Sequence, residues 1–349
     1  MPRTILIAGG YPHHLPQAVI KAFAENGWRT EFFDLSPESP WHRPFVKPIR
    51  KLIHNLRIER HPETFDNTIL SNLGWRSARW WKKMQKIKPD AALILRGNRI
   101  ALPQLKAAAA AGYPLFCWML EPVSKLPTFL AEAQARIYRE TFVYSHSYLD
   151  ELKNVGAHGI YYPHRAMEMP DEARVLNRQR RYQWSFLGSH SPWREKIMRA
   201  LLAEFPNGFL MGARWNRLKS EPLFQDVVHE FYYGQEECVK LYLDSAIGLD
   251  INAGPEPGTS GLAMRIPELL ACGCKVLLQP STELEALPWN PGQRLAFYRS
   301  PEELVEQMRR EQNAAEDKTS SGEILALARS VVGHREMVEH VNRVLNPVG

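Results

Sequence analysis

Between Ile247 and Gln279 the chain reads as strand, loop, short helix and strand: Ile247-Gly-Leu-Asp-Ile-Asn252, a turn-rich loop, Met264 to Gly273, and Lys275-Val-Leu-Leu-Gln279. An open parallel sheet is built from such units, and it gathers its ligand-binding loops at the carboxyl ends of its strands. The loop holds Gly254, Pro255, Pro257, Gly258 and Gly261, so the backbone can turn sharply and approach a ligand closely before the helix begins. Arg265 and Glu268 follow three residues apart, which puts both on one helix face at the same mouth. A guanidinium there can grip a diphosphate in a fork, and a carboxylate can accept hydrogen bonds from ribose hydroxyls. The same spacing also describes an ordinary surface ion pair.

The alternation recurs along the whole chain. Strands are expected at Thr4 to Gly10, Arg29 to Leu35, Ala91 to Leu95, Pro114 to Met119 and Thr141 to Tyr144, with a helix over Gln17 to Glu25 ended by Asn26-Gly27. After Tyr161-Tyr-Pro-His164 and a polar linker from Glu168 to Arg181, a second series begins. It comprises Gln183 to Gly188, a helix from Trp193 to Phe205, Phe209 to Gly212, a segment near Phe231-Tyr-Tyr-Gly234, and the 247–279 unit. A chain of 349 residues is too long for one small core. The expected organisation is an α/β protein of two doubly wound domains, residues 1–165 and 166–330, facing a cleft, with a closing helix in 331–349 that crosses back to the first.

Charge is concentrated rather than spread. Arg43 to Lys88 carries twelve Lys or Arg against Glu59, Glu63 and Asp66, more than the whole chain's net charge of +6. Within it Phe45, Ile49, Leu52, Ile53 and Leu56 recur at helical spacing, and Trp75, Arg76, Arg79, Trp80, Trp81, Lys82 and Lys83 interleave indoles with cations. Such a surface suits an anionic membrane, or packs on its own domain with a solvated basic face. No apolar run reaches the roughly 20 residues that span a bilayer, and the sequence reads as cytoplasmic without a signal peptide. Cys272-Gly-Cys274 has the wrong spacing for a zinc knuckle, so the four cysteines read as free thiols.

Ordered motifs carry a resemblance. Phe186-Leu-Gly-Ser189 before Arg194, Met211-Gly212 before Trp215, Tyr233-Gly234, Leu241-Tyr242, Leu249 to Asn252, Arg265 to Gly273 and Tyr298-Arg-Ser-Pro-Glu-Glu-Leu304 stand in the order found in the CgeB-like (spore-maturation protein type) glycosyltransferases. The chain resembles that branch of the two-Rossmann (GT-B) glycosyltransferases over about half its length, more thinly toward the amino terminus. The resemblance implies transfer of a sugar from a nucleotide-diphosphate sugar to a glycan, lipid-linked glycan or protein, in cell-surface polysaccharide synthesis. The wider retaining branch of this fold carries a second glutamate eight residues before the position of Glu268; Ser260 stands there.

Such a transfer needs the leaving diphosphate stabilised as the sugar becomes oxocarbenium-like. No Asp-x-Asp motif occurs, so no metal or other cofactor is expected, and amides with arginines are expected to meet the charge. Donor-binding candidates are Gly188, Ser189, Arg194, Gly212, Trp215 as a base-stacking ring, Asn252, Gly261, Arg265 and Glu268. The general-base candidates are Glu121 after the Trp118 strand, then His13 and His14 after the first. Two other classes compete. An epimerase of the same fold would convert a nucleotide sugar with no acceptor. Nucleic-acid binding would use the basic-aromatic segment but leaves the ordered motifs unexplained, and no nucleic-acid partner is expected. A dehydrogenase is disfavoured, since Ala8-Gly-Gly-Tyr-Pro-His-His14 lacks Gly-x-Gly-x-x-Gly.

Overall fold

The computed structural model describes residues 2–10, 14–40, 71–120, 134–229, 234–254, 263–280, 295–313 and 321–346. Two parallel six-stranded sheets flanked by helices make up the chain, and it divides into two compact units, Met1–Tyr162 with His334–Gly349, and Pro163–Gly333.

In the first unit β1 (Thr4–Gly9), β2 (Arg29–Asp34), β3 (Ala91–Leu95), β4 (Leu115–Trp118), β5 (Glu140–Val143) and β6 (Gly159–Tyr161) are ordered β2-β1-β3-β4-β5-β6. All five residues of β3 are buried, which is why it reads as an unbroken apolar run: a central parallel strand is covered on both faces. The helices are α1 (His14–Glu25), α2 (Asn72–Ile87), α3 (Leu102–Ala110) and α4 (His146–Asn154). On α2, Trp80 is fully buried, the Arg79 guanidinium lies 4.5 Å from the Trp75 ring centroid and 5.9 Å from that of Phe33, and Lys83 Nζ donates to Phe32 O at 2.6 Å. Much of the aromatic and cationic interleaving therefore packs on its own unit. The amphipathic segment expected around Phe45 to Leu56 lies outside the described residues.

The second unit holds β7 (Tyr182–Leu187), β8 (Gly208–Met211), β9 (Val228–His229), β10 (Ser245–Asp250), β11 (Lys275–Leu278) and β12 (Leu295–Phe297), ordered β12-β11-β10-β7-β8-β9. Side-chain alternation sends Trp184, Phe186, Leu249 and Leu277 into one core and Leu187, Val276 and Leu278 into the other. The first core takes Ile197 and Leu201 of α6 (Pro192–Leu202) and Leu304 and Met308 of α9 (Pro301–Asn313). The second takes Leu241 and Tyr242 of α7 (Gln235–Leu243), Ile266 and Leu270 of α8 (Arg265–Ala271) and Leu327 of α10 (Ser321–Ser330). The polar linker is a correction: it contains α5 (Glu172–Leu176), capped by Asp171 and anchored by buried Val175. One apolar side chain and a cap suffice there, and neither makes a periodic pattern. The last helix, α11 (Arg335–Leu345), belongs to the first unit.

Candidate functional site

The carboxyl edge of the second sheet begins where β7 ends at Leu187 and Gly188 and Ser189 follow, before Ser191 caps α6 by accepting from Arg194 N at 3.2 Å. This loop is sewn to the one after β8: Gly188 N donates to Met211 O and His190 N to Ala213 O, both at 2.9 Å. Ser189 N–H, between them, has no protein acceptor among the described residues. Gly212 lies with φ at 155°, and a Cβ there would stand 2.0 Å from Gly188 O. Only glycine permits that approach.

Trp215 corrects an expectation. Its indole is fully buried beside His190 and Phe224, and Nε1 donates to Gly188 O at 2.7 Å. The ring holds the loop's backbone from below and has no free face for a base.

Arg194 corrects a second. Its side chain is buried over Phe186; Nη2 donates to Ile251 O at 2.7 Å, Nη1 to Ser189 O at 2.8 Å, and Nε is shared between Ile251 O and Asn252 O at 2.9 and 3.2 Å. A guanidinium spent on backbone carbonyls ties the β7 loop to the β10 loop instead of facing a phosphate. Asn252 is fixed from its other side, its N–H donating to Gln279 Oε1 at 2.7 Å.

Arg265, first residue of α8, is the guanidinium left to meet a ligand. Its Nε pairs with Asp250 Oδ1 at 3.1 Å, and its plane lies 5.1 Å from the Phe186 centroid. Nη1 stands 3.2 Å from where a Cβ on Gly188 would be, and it is buried without a hydrogen-bond acceptor. A buried charged donor left unmade costs free energy, so the fold holds this N–H in place at a loss unless an anion meets it. The partner of Arg265 is Asp250, not Glu268 as the helical spacing suggested. Glu268 is half-buried one turn on, near Tyr242 and Cys238, and burial, partly offset by the Arg265 charge, pushes its carboxyl up to about 7.

Asp250, Gln279 and Tyr298, whose hydroxyl donates to Asp250 O at 3.1 Å, were not singled out from sequence. Asp250 carried a signal: an acid ending an otherwise apolar strand must find a cation. A further brace, His190 Nε2 at 2.6 Å from Glu195 Oε2 with Arg199 on the same carboxylate and on Glu221, stiffens the start of α6. His190 first and Arg199 second hold Glu195 below the usual carboxylate range.

The structure therefore brings together Gly188, Ser189, Arg194, Gly212, Trp215, Asn252 and Arg265, with Glu268 a turn beyond. Gly261, Glu121 and His13 lie outside the described residues, and His14 opens α1 with its side chain likewise outside them. Among the described residues no helix is long and apolar enough to cross a membrane, and no cluster of three or more His, Cys, Asp or Glu could hold a metal.

Residues 190–343 match the family described as glycosyl transferase-like. The fold is similar to that of a UDP-forming α,α-trehalose-phosphate synthase from Burkholderia xenovorans, 12% identical, with 100% of this chain and 99% of that one covered and a TM-score of 0.61. Sucrose-phosphate synthase from Thermosynechococcus elongatus is 14% identical, with 98% of each chain covered and a TM-score of 0.61. A UDP-N-acetylglucosamine 2-epimerase is 13% identical, with 98% of this chain and 95% of that one covered and a TM-score of 0.55. No curated protein sequence matches the chain.

Proposed function

We propose that this chain, a glycosyltransferase of the two-Rossmann GT-B architecture, takes its sugar from a uridine diphosphate donor held at the carboxyl edge of the second sheet. The observation that carries the reading is the Arg265 guanidinium, oriented by Asp250, with Nη1 unpaired beside Gly188 and the uncommitted amide of Ser189 in the same loop. Together they form a preorganised cradle for the diphosphate, where a guanidinium and a backbone amide stabilise the charge that grows on the leaving group. Glu268 serves the ribose hydroxyls. The base is assigned to uracil because the similarly folded synthase is described as UDP-forming and the epimerase as acting on a UDP-sugar.

In the transfer, an acceptor hydroxyl oxygen attacks the anomeric carbon, the bond from that carbon to the diphosphate oxygen breaks, and UDP leaves with the electron pair. The hydroxyl proton passes to a base, for which Glu121, after β4, ranks ahead of His13 and His14, after β1. No metal ion is required in this scheme, since guanidinium and amides meet the charge. CgeB-like membership and a cell-surface glycan or lipid-linked acceptor, reached with the help of the basic Arg43 to Lys88 segment at an anionic membrane, remain part of the proposal.

The test is thermal stabilisation by UDP, GDP, dTDP, CMP and their sugars. UDP and UDP-sugars are expected to raise the melting temperature, by an amount that follows RT ln(1+[L]/Kd). Arg265→Ala should abolish the shift; an undiminished shift in that variant overturns the placement of the donor. Conversion of a UDP-sugar to its epimer with no acceptor present would favour the epimerase.

A further inference from the structure

At the carboxyl edge of the second sheet one side chain is fixed by its oxygen and left with its nitrogen free. Gln279 follows β11 and is 4% exposed. Its Oε1 accepts from Asn252 N at 2.7 Å and from Trp193 Nε1 at 3.4 Å. A backbone amide and an indole can only donate, which settles the orientation of the carboxamide: oxygen toward Asn252 and Trp193, nitrogen away from them. Nε2 makes no hydrogen bond among the described residues and, unlike Arg265 Nη1, is not sealed from the outside. The free function of this otherwise buried residue is a pair of N–H donors. The half-buried Asn252 carboxamide likewise has no partner among the described residues.

Which end of a donor lies there follows from the two faces of the sheet. In the order β12-β11-β10-β7-β8-β9 the chain switches direction between β10 and β7, and a ligand of an open parallel sheet sits at the loops after those two strands. Arg265 and Glu268 come from α8, whose Ile266 and Leu270 belong to the second core. Leu277 of β11 lies in the first core and the Trp193 ring of α6 packs against it. Gln279, two residues after Leu277, stays on that face. The residues ending β10 join the two sides: Asp250 pairs with Arg265, Ile251 O accepts from Arg194, and Asn252 N–H donates to Gln279. A diphosphate on Arg265 with its ribose toward Glu268 therefore directs its other end, the sugar, toward Gln279.

We infer that Gln279 is a specificity-determining residue for the transferred sugar, its Nε2 donating to the oxygen of one sugar hydroxyl. The inference rests on the transferase reading with the diphosphate at Arg265, and it assigns the sugar end of that same site. A carboxamide already fixed by its oxygen is preorganised, so little rotamer freedom is lost when the sugar docks. It carries no charge, which suits a hydroxyl, while the guanidinium and the Ser189 amide meet the charge of the diphosphate. A sugar that lacks this hydroxyl, or presents it in the other configuration, leaves Nε2 facing no acceptor. The site discriminates among sugars by that lost hydrogen bond.

The experiment is calorimetric titration of the full chain with UDP, UDP-glucose, UDP-galactose and UDP-N-acetylglucosamine, then with deoxy forms of whichever sugar binds tightest, one hydroxyl removed at a time. In the wild type one UDP-sugar should bind more tightly than UDP, and removal of one particular hydroxyl should weaken it roughly fivefold, the loss of a neutral hydrogen bond. Gln279→Met, close in length and volume, should lower the affinity for that UDP-sugar relative to UDP by a similar factor. In the variant the same deoxy form should bind as well as its parent. A residue that only braces the Asn252 loop would lower UDP and UDP-sugar alike and leave the deoxy penalty as in the wild type. That outcome overturns the inference, as does a wild type that binds UDP and every UDP-sugar equally. Failure of UDP itself to bind is a different result: it overturns the placement of the donor first, and the inference with it.

Discussion

At Gly212 the pairing of the loops after β7 and β8 depends on the absence of one carbon atom. A Cβ there would lie 2.0 Å from Gly188 O and 2.4 Å from Gly188 C, and neither belongs to a side chain that can swing away. Gly212→Ala must therefore push the β7 loop off its seat. We expect a loss of about 1–3 kcal/mol in denaturant unfolding, typical of overpacking, together with loss of the UDP-induced thermal shift. Glu268 gives a prediction in pH. Its folded carboxyl titrates at about 7 while an unfolded glutamate titrates near 4.3. Below the lower value both states are protonated and the residue contributes nothing. As pH rises from about 4.5 to about 7 the unfolded chain gives up its proton first, so folding grows less favourable, and above 7 the full cost stands. Glu268→Gln should be more stable than wild type at pH 8 by roughly 1–3 kcal/mol and equal to it near pH 4, read from urea midpoints. Equal stabilities at pH 8 would show that the folded carboxyl does not titrate above the unfolded one.

The helix α6 shows what an element can reveal in its sequence and what it conceals. Ser191-Pro-Trp-Arg announces a capped start, and Ile197, Leu201 and Leu202 fall on one face, so the helix was legible to within a few residues. The strands were legible for the same reason, since buried parallel strands are short apolar runs. What Arg194 does was not legible, because its acceptors are backbone carbonyls up to 58 positions away, and a carbonyl leaves no mark on a sequence. Trp215 misled in the same manner: a tryptophan after a glycine suits a stacking platform or a buried prop, and the hydrogen bond that decides between them is again to a carbonyl. Two outcomes distinguish cap from clamp in α6. Ser191→Ala removes one cap bond and should cost about 1 kcal/mol with nucleotide binding intact. Arg194→Met removes the tie between the β7 and β10 loops, leaves three backbone carbonyls unpaired, and should weaken UDP binding at least as sharply as it lowers stability.

Over the whole molecule, the chain leaves its first unit at Tyr162 and returns at His334, so the second unit is an insertion within the first unit's sequence. The returning segment is part of that unit's core. The Tyr162 hydroxyl lies 3.0 Å from His334 Nδ1, the His334 ring packs edge-on to Trp118 at 5.1 Å, His340 packs on Phe142 at 5.6 Å, and Met337, Val338 and Val341 are fully buried. Burial of three apolar side chains at about 1.5–3 kcal/mol each approaches the 5–15 kcal/mol that holds a typical domain together. Among the described residues, neither core of the second unit includes a side chain of α11. A chain ended after Gly333 should therefore lose the cooperative melting of the first unit while the second still unfolds cooperatively and is still stabilised by UDP. Calorimetry with and without UDP reads both at once. A truncated chain that keeps both melting transitions would show that α11 is dispensable to the first unit, and one that loses the UDP shift would show that the proposed donor site needs more of the chain than the second unit.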